Sequence, residues 1–398
     1  MRSTSIFSHA SLAVAAMSLA SAAEVQTKPA LQSPPAQQEK VEFDQLAVRM
    51  DDDSVQSLAG WVTADGLTQV TLLIAGKETK LASVDVLKVT WGNAPRSYMD
   101  ALASLNRGQF AAATEQFRRA AEDSSARQVV RASARLEAAQ ALLRWGAIDP
   151  MRLAEAHTEA QRFQRECADS RGVARADLIE ARAAWMSGQA NEAAQVYGWV
   201  FDTWALEEVL PGFRCEDCLE SGCNAARALL DIQPPDTQAA RGLYVRVSQA
   251  AVYELELHAL PFDISQVTRI RDEANQGSEF VDLAEGKQAV ARKLFEGRLE
   301  AQSSISETTK CCATLGLALA LQAGGKLREA QFQFAKVSAL EFIDRDRAAR
   351  AQVGLAETTL QLGDSDAKPQ ARNLLEDVVK TQGDTLSAAK ARELLAKL

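Results

Sequence analysis

The chain has 398 residues, 47% of them hydrophobic and 24% charged, with a formal net charge of -9. That is the balance of a globular chain long enough for more than one domain. The acidic balance gives no basic face for a nucleic-acid backbone, and no apolar run reaches the length of a membrane span.

Residues 1–23 read as an export signal. Arg2 supplies the charged start, a small apolar run extends from Ala10 to Ala20, and Ala20-Ser21-Ala22 offers an A-x-A cleavage site. No cysteine follows that site, so no lipid anchor is expected, and the mature chain is expected in a periplasm or outside the cell. Residues 24–40, EVQTKPALQSPPAQQEK, hold three prolines and four glutamines with little to bury, which predicts a flexible linker.

Residues 41–95 change character. Apolar and polar residues alternate over Ser57–Val62, Gln69–Ile74 and Lys80–Val89, the period of strands. Asp65-Gly66 is a hairpin signal and Ala75-Gly76-Lys77 reads as a turn. A small β-domain of four or five short strands is expected, closed or half-closed to hide its edges. The order of its strands resembles SH3-like or Sm-like small barrels. Trp61 and Trp91 would serve its core or a binding face.

From Arg96 the chain reads as helical. Ala101, Ala139, Ala181, Ala318 and Ala356 each stand seven residues before a glycine: Gly108, Gly146, Gly188, Gly325 and Gly363. Small and aromatic residues follow at fixed steps, Ala113 and Phe117, Ala193 and Tyr197, Ala330 and Phe334. The pattern describes paired antiparallel helices. The alanines let the two helices approach, the glycine takes the left-handed turn between them, and the aromatics fill the gap to the next pair. It resembles the tetratricopeptide (TPR) repeat. The resemblance implies a mainly α fold, a right-handed solenoid of helical hairpins whose concave groove is lined by the first helix of each pair. Residues 96–204 and 307–398 carry the pattern, and Leu386–Leu398 suits a terminal capping helix. Residues 205–306 do not match it cleanly. They are expected to hold degenerate hairpins with helices near Ala239–Leu260 and Glu279–Glu300.

Cysteine is the one site-like element. Cys215, Cys218 and Cys223 form C-x2-C-x4-C in an expected loop, Cys311-Cys312 is a vicinal pair, and Cys167 stands apart. In an exported chain these six are candidates for structural disulfides. Zinc would need a fourth ligand, and a redox C-x-x-C would need a βαβ setting. His157 and His258 belong to no metal-binding spacing. Asp51-Asp52-Asp53 lacks the calcium-loop pattern, and no phosphate-loop or nucleophile-elbow motif occurs. No cofactor and no catalysis are therefore expected. The reading is an exported protein–protein interaction scaffold, with other proteins or envelope components held on the concave face. The alternative is an accessory subunit that binds an envelope polymer or ligand.

Overall fold

The structure, a computed structural model, describes residues 42–50, 54–205, 216–258, 264–301 and 306–398. The expected signal and linker, Asp51-Asp52-Asp53, Pro211 and Cys215 lie outside the described residues.

Five strands, β1 (Asp44–Arg49), β2 (Val55–Asp65), β3 (Gln69–Ile74), β4 (Lys77–Ala82) and β5 (Val86–Thr90), form one antiparallel sheet in the order β4-β3-β2-β1-β5. Ala75 and Gly76 both take positive φ, 49° and 82°, so the β3–β4 link is a two-residue turn whose twist matches the strands. A 3-10 turn at Ser83–Asp85 carries the chain from one edge of the sheet to the other. Alternation puts Leu46, Val48, Val62, Val70, Leu72 and Val86 inward. Their core runs on without a break into Tyr98, Ala101, Phe117, Val130 and Ala134 of the first helices.

Helices begin at Arg96. They pair as α1 (Arg96–Asn106) with α2 (Phe110–Glu122), α3 (Gln128–Gly146) with α4 (Arg152–Glu166), and α5 (Val173–Met186) with α6 (Ala190–Val200). After a π turn at Phe201–Ala205 come α7 (Glu216–Asp231) with α8 (Thr237–Tyr253). Then come α9 (Ile264–Ala274), α10 (Gly277–Ala284) with α11 (Gln288–Glu300), α12 (Glu307–Ala323) with α13 (Leu327–Leu340), α14 (Arg345–Leu362) with α15 (Ala367–Thr381), and a last helix α16 (Leu386–Leu395). The result is a mainly α solenoid of helical hairpins preceded by a small β-unit.

One turn geometry recurs. Gly108 takes φ of 72°, its N–H donates to Leu105 O at 3.0 Å, and Gln109 N–H donates to Ser104 O at 2.9 Å. Gly188, Gly286 and Gly325 repeat both bonds. This pair of bonds satisfies carbonyls that a helix end leaves open, and the left-handed residue between them is strain-free only as glycine. Ala101, Ala139, Ala181, Ala318 and Ala356 are fully buried, and so are Ala113, Ala193 and Ala330, beside the buried Phe117, Tyr197 and Phe334.

Three sequence expectations need correction. Gly146 is not a turn residue. It is the last residue of α3, and a Cβ there would come within 2.2 Å of the Leu153 side chain, so its smallness makes room for Leu153. The helical stretch expected near Glu279–Glu300 is two helices broken at Gly286. The steps from Gly286 to Ala291 and Phe295 match those from Gly108 to Ala113 and Phe117; the hairpin was hidden because Glu279 stands where the other repeats have alanine. The expected cysteine loop is helical at Cys218 and Cys223. Both are buried on α7 beside Leu219 and Ala226, where cysteine behaves as a small hydrophobe.

The first helices of distant hairpins meet. Arg182 of α5 donates to Asp384 O at 2.9 Å and lies 3.4 Å from Asp346 of α14, while Leu386 of α16 packs on the Ala181–Trp185–Ala225 cluster. Arg392 of α16 donates to Ala147 O at 2.7 Å, in the long α3–α4 turn. Deeper in, Arg347 of α14 is 2% exposed and pairs with Glu273 at 3.1 Å, Glu341 at 2.7 Å and Asp344 at 3.1 Å. Arg227 of α7 joins the same carboxylates, Glu273 and Asp344. Helices α5 and α7 are thus tied to later helices of the chain through Arg182 and Arg227.

Candidate functional site

Two clamps fix the sheet to the helices. Asp44 of β1 is fully buried and accepts from Val62 N–H and Gly92 N–H, each at 2.8 Å. It also takes a fork of two bonds from Arg127, at 2.7 and 2.6 Å. The Arg127 guanidinium sits 4.7 Å from the Trp61 ring centre and 5.9 Å from that of Trp91, which places both tryptophans on the clamp. The second clamp is Arg171, in the α4–α5 loop. Its side chain donates to Asp65 at 3.0 Å and to the Val86 carbonyl, and Leu67 N–H donates to Asp169 O at 2.7 Å.

A cleft of about 1400 Å³ is lined by residues on both sides of these clamps. The sheet contributes Arg49 and every residue of β5. The helices contribute Tyr98, Met99 and Leu102 from α1, Val129 and Leu136 from α3, and Arg171 and Arg175 beyond. Apolar surface is left open in it: Met99 is 51% exposed and Leu87 is 42% exposed. Tyr98 donates or accepts at Ser133 Oγ, 3.1 Å away, and burial pushes its phenol up to about 12, so it stays neutral.

The lining is more acidic than basic. Asp65, Glu137, Glu166, Asp169, Glu216 and Glu254 face Arg49, Lys88, Arg171 and Arg175. Arg171 is paired with Asp65 and Arg175 with Glu137, at 3.0 and 2.7 Å. Glu166 pairs with Arg162 at 2.8 Å and also with Arg135.

An activated thiol finds no support in these surroundings. Cys167 borders the cleft and Cys311 and Cys312 lie on α12; with Cys223 they stand as thiols. Burial raises all four, Cys312 to about 12, the opposite of what an activated thiolate needs. Cys218 and Cys223 cannot bridge within α7, since five helical residues rise about 7.5 Å, beyond disulfide reach. Among the described residues no group of three or more His, Cys, Asp or Glu is placed to hold a metal. His157 lies 3.7 Å from Glu180 and 3.8 Å from Glu192, on the hairpins and away from the cleft. The repeat residues build the array and do not line the cleft. Met99, Leu102, Arg171 and Arg175 were missed by sequence reasoning, because nothing in a helical pattern says which exposed side chain faces a sheet far along the chain.

No family model and no curated protein matches the chain. Among solved structures, it is similar to the crystal structure of a tetratricopeptide repeat protein from Parabacteroides merdae, at 14% identity and a TM-score of 0.47. The match covers 76% of this chain and 98% of that one. Among the described residues no helix is long and apolar enough to cross a membrane.

Proposed function

We propose that the chain is an exported, TPR-like interaction scaffold without catalysis of its own, and that a protein partner sits in the cleft between the β-unit and α1–α3. The observation that carries this reading is the cleft itself. It is larger than the roughly 300–1,000 Å³ of small-molecule sites, and it leaves Met99 and Leu87 uncovered. The surface around Arg182, Arg227 and Arg347 is the weaker candidate, because these arginines are already engaged by the chain's own carboxylates. For an exported chain, the disulfide pairings that stay open join different elements: Cys167 or the Cys311-Cys312 helix with Cys215 or α7.

A photoreactive residue placed at Met99 tests the reading in cells. The expected result is one dominant cross-linked protein that disappears when Leu102 is changed to Glu. Equal trapping from Met99 and from Phe332, an exposed position on α13, which contributes nothing to the cleft lining, would refute the assignment.

A further inference from the structure

The sheet has two edges, and they are built differently. β4 reads Lys-Glu-Thr-Lys-Leu-Ala, with charges at Lys77, Glu78 and Lys80, whereas β5 reads Val-Leu-Lys-Val-Thr, with Lys88 alone. An edge strand exposes unpaired N–H and C=O groups, and charged side chains are a common means of keeping other strands off it. β4 has that protection and β5 largely lacks it.

β5 also borders the cleft in an unusual way. Six successive residues from Val86 to Trp91 line it. Successive side chains of a strand point to opposite faces, so an unbroken run meets one cavity through the backbone edge. Among the described residues β5 pairs only with β1. The Val86 carbonyl accepts from Arg171, which belongs to no strand. Arg171 occupies this first position and leaves Leu87 to Thr90 as the open edge.

We infer that β5 is a docking strand: an extended segment of a protein partner adds to its open edge inside the cleft, with apolar side chains at the alternate positions that face the helices. The inference rests on the scaffold reading above and specifies its partner. Main-chain bonds along Leu87–Thr90 supply affinity, and alternate side chains of the added strand supply specificity. One set of those side chains meets Met99, Leu102, Val129 and Leu136 across the cleft.

The test pans the full chain against a displayed library of random heptapeptides and remeasures the selected peptides in solution. Selected sequences are expected to be extended and apolar at alternate positions. Binding should slow amide exchange at 87–90 and leave 77–82 unchanged. N-methylation of alternate backbone amides in the peptide should weaken binding by at least about tenfold, or more than about 1.4 kcal/mol. Leu87→Lys gives β5 a second charge at a position that is already 42% exposed, so it should weaken binding similarly with an unchanged melting temperature. Peptides that bind the cleft but tolerate N-methylation overturn strand addition and leave the scaffold reading standing. Protection away from 87–90, or no peptide selected, overturns the inference; the second result combined with no cross-link at Met99 overturns both.

Discussion

Asp44 and Arg127, 83 positions apart in the chain, form a forked ion pair whose carboxylate is fully buried. Asp44 lies on the first strand and Arg127 is the residue before α3, so the pair ties sheet to solenoid. Asp44→Asn leaves Arg127 without its charge partner and should cost about 3–5 kcal/mol, the usual penalty for breaking a buried pair. Arg328→Ala removes the exposed pair with Asp364 and should cost less than about 1 kcal/mol. Urea unfolding of the two variants checks the contrast, and comparable losses would count against the clamp.

Ala181 is fully buried between helices, while Ala190 sits half-buried at the start of α6. Overpacking such a contact costs about 1–3 kcal/mol. Ala181→Leu should therefore lower the melting temperature well below that of Ala190→Leu. Equal values would disprove the assigned register.

Gly286 holds φ of 79°, whereas Gly297 lies in α11 with open space where a Cβ would stand. Gly286→Ala should destabilise by roughly 1–2 kcal/mol through left-handed strain. Gly297→Ala should be neutral or stabilising by up to about 1 kcal/mol. Thermal unfolding of the pair decides whether this middle hairpin shares the turn geometry of its neighbours.

Two buried carboxylates titrate in opposite senses. Burial raises Asp177 to about 7, although Trp204 donates to it at 2.6 Å. Its folded value lies above the unfolded one, so the folded state binds more protons between pH 4 and 7, and this group makes stability fall as pH rises through that window. Asp344 moves down to about 2, with Arg347 and Arg227 outweighing its burial. Its contribution is present above the unfolded value of 3.8 and is lost as pH falls through about 2. Relative to wild type, Asp177→Asn should gain stability toward neutral pH and Asp344→Asn should lose it. Denaturant midpoints measured from pH 3 to 8 read both signs, and parallel curves would refute the linkage.

The hairpin turns were legible because glycine is the one residue that takes φ near 70° without strain, and it left that requirement in the sequence at Gly108, Gly188 and Gly325. Gly146 misled because a glycine can be selected for room as well as for φ, and spacing does not separate the two. Gly286 was passed over because Glu279 replaces the usual alanine; its carboxylate is buried, and its Oε1 accepts from Arg298. The strands showed through alternation and the Ala75-Gly76 turn. The cleft did not show, since it depends on Arg127 finding Asp44 and Arg171 finding Asp65 across 83 and 106 positions. No local pattern records such meetings.

The bond from Arg392 to Ala147, with Arg182 reaching Asp384, gives the array no independent C-terminal end. Repeat arrays in which each unit touches only its neighbours can fray from a terminus and lose units one at a time. In this chain the last helix holds the second and third hairpins, so fraying at α16 removes support from residues more than two hundred positions earlier. Trimming the C-terminus is then a change to the whole molecule's cooperativity, with one sharp transition giving way to several.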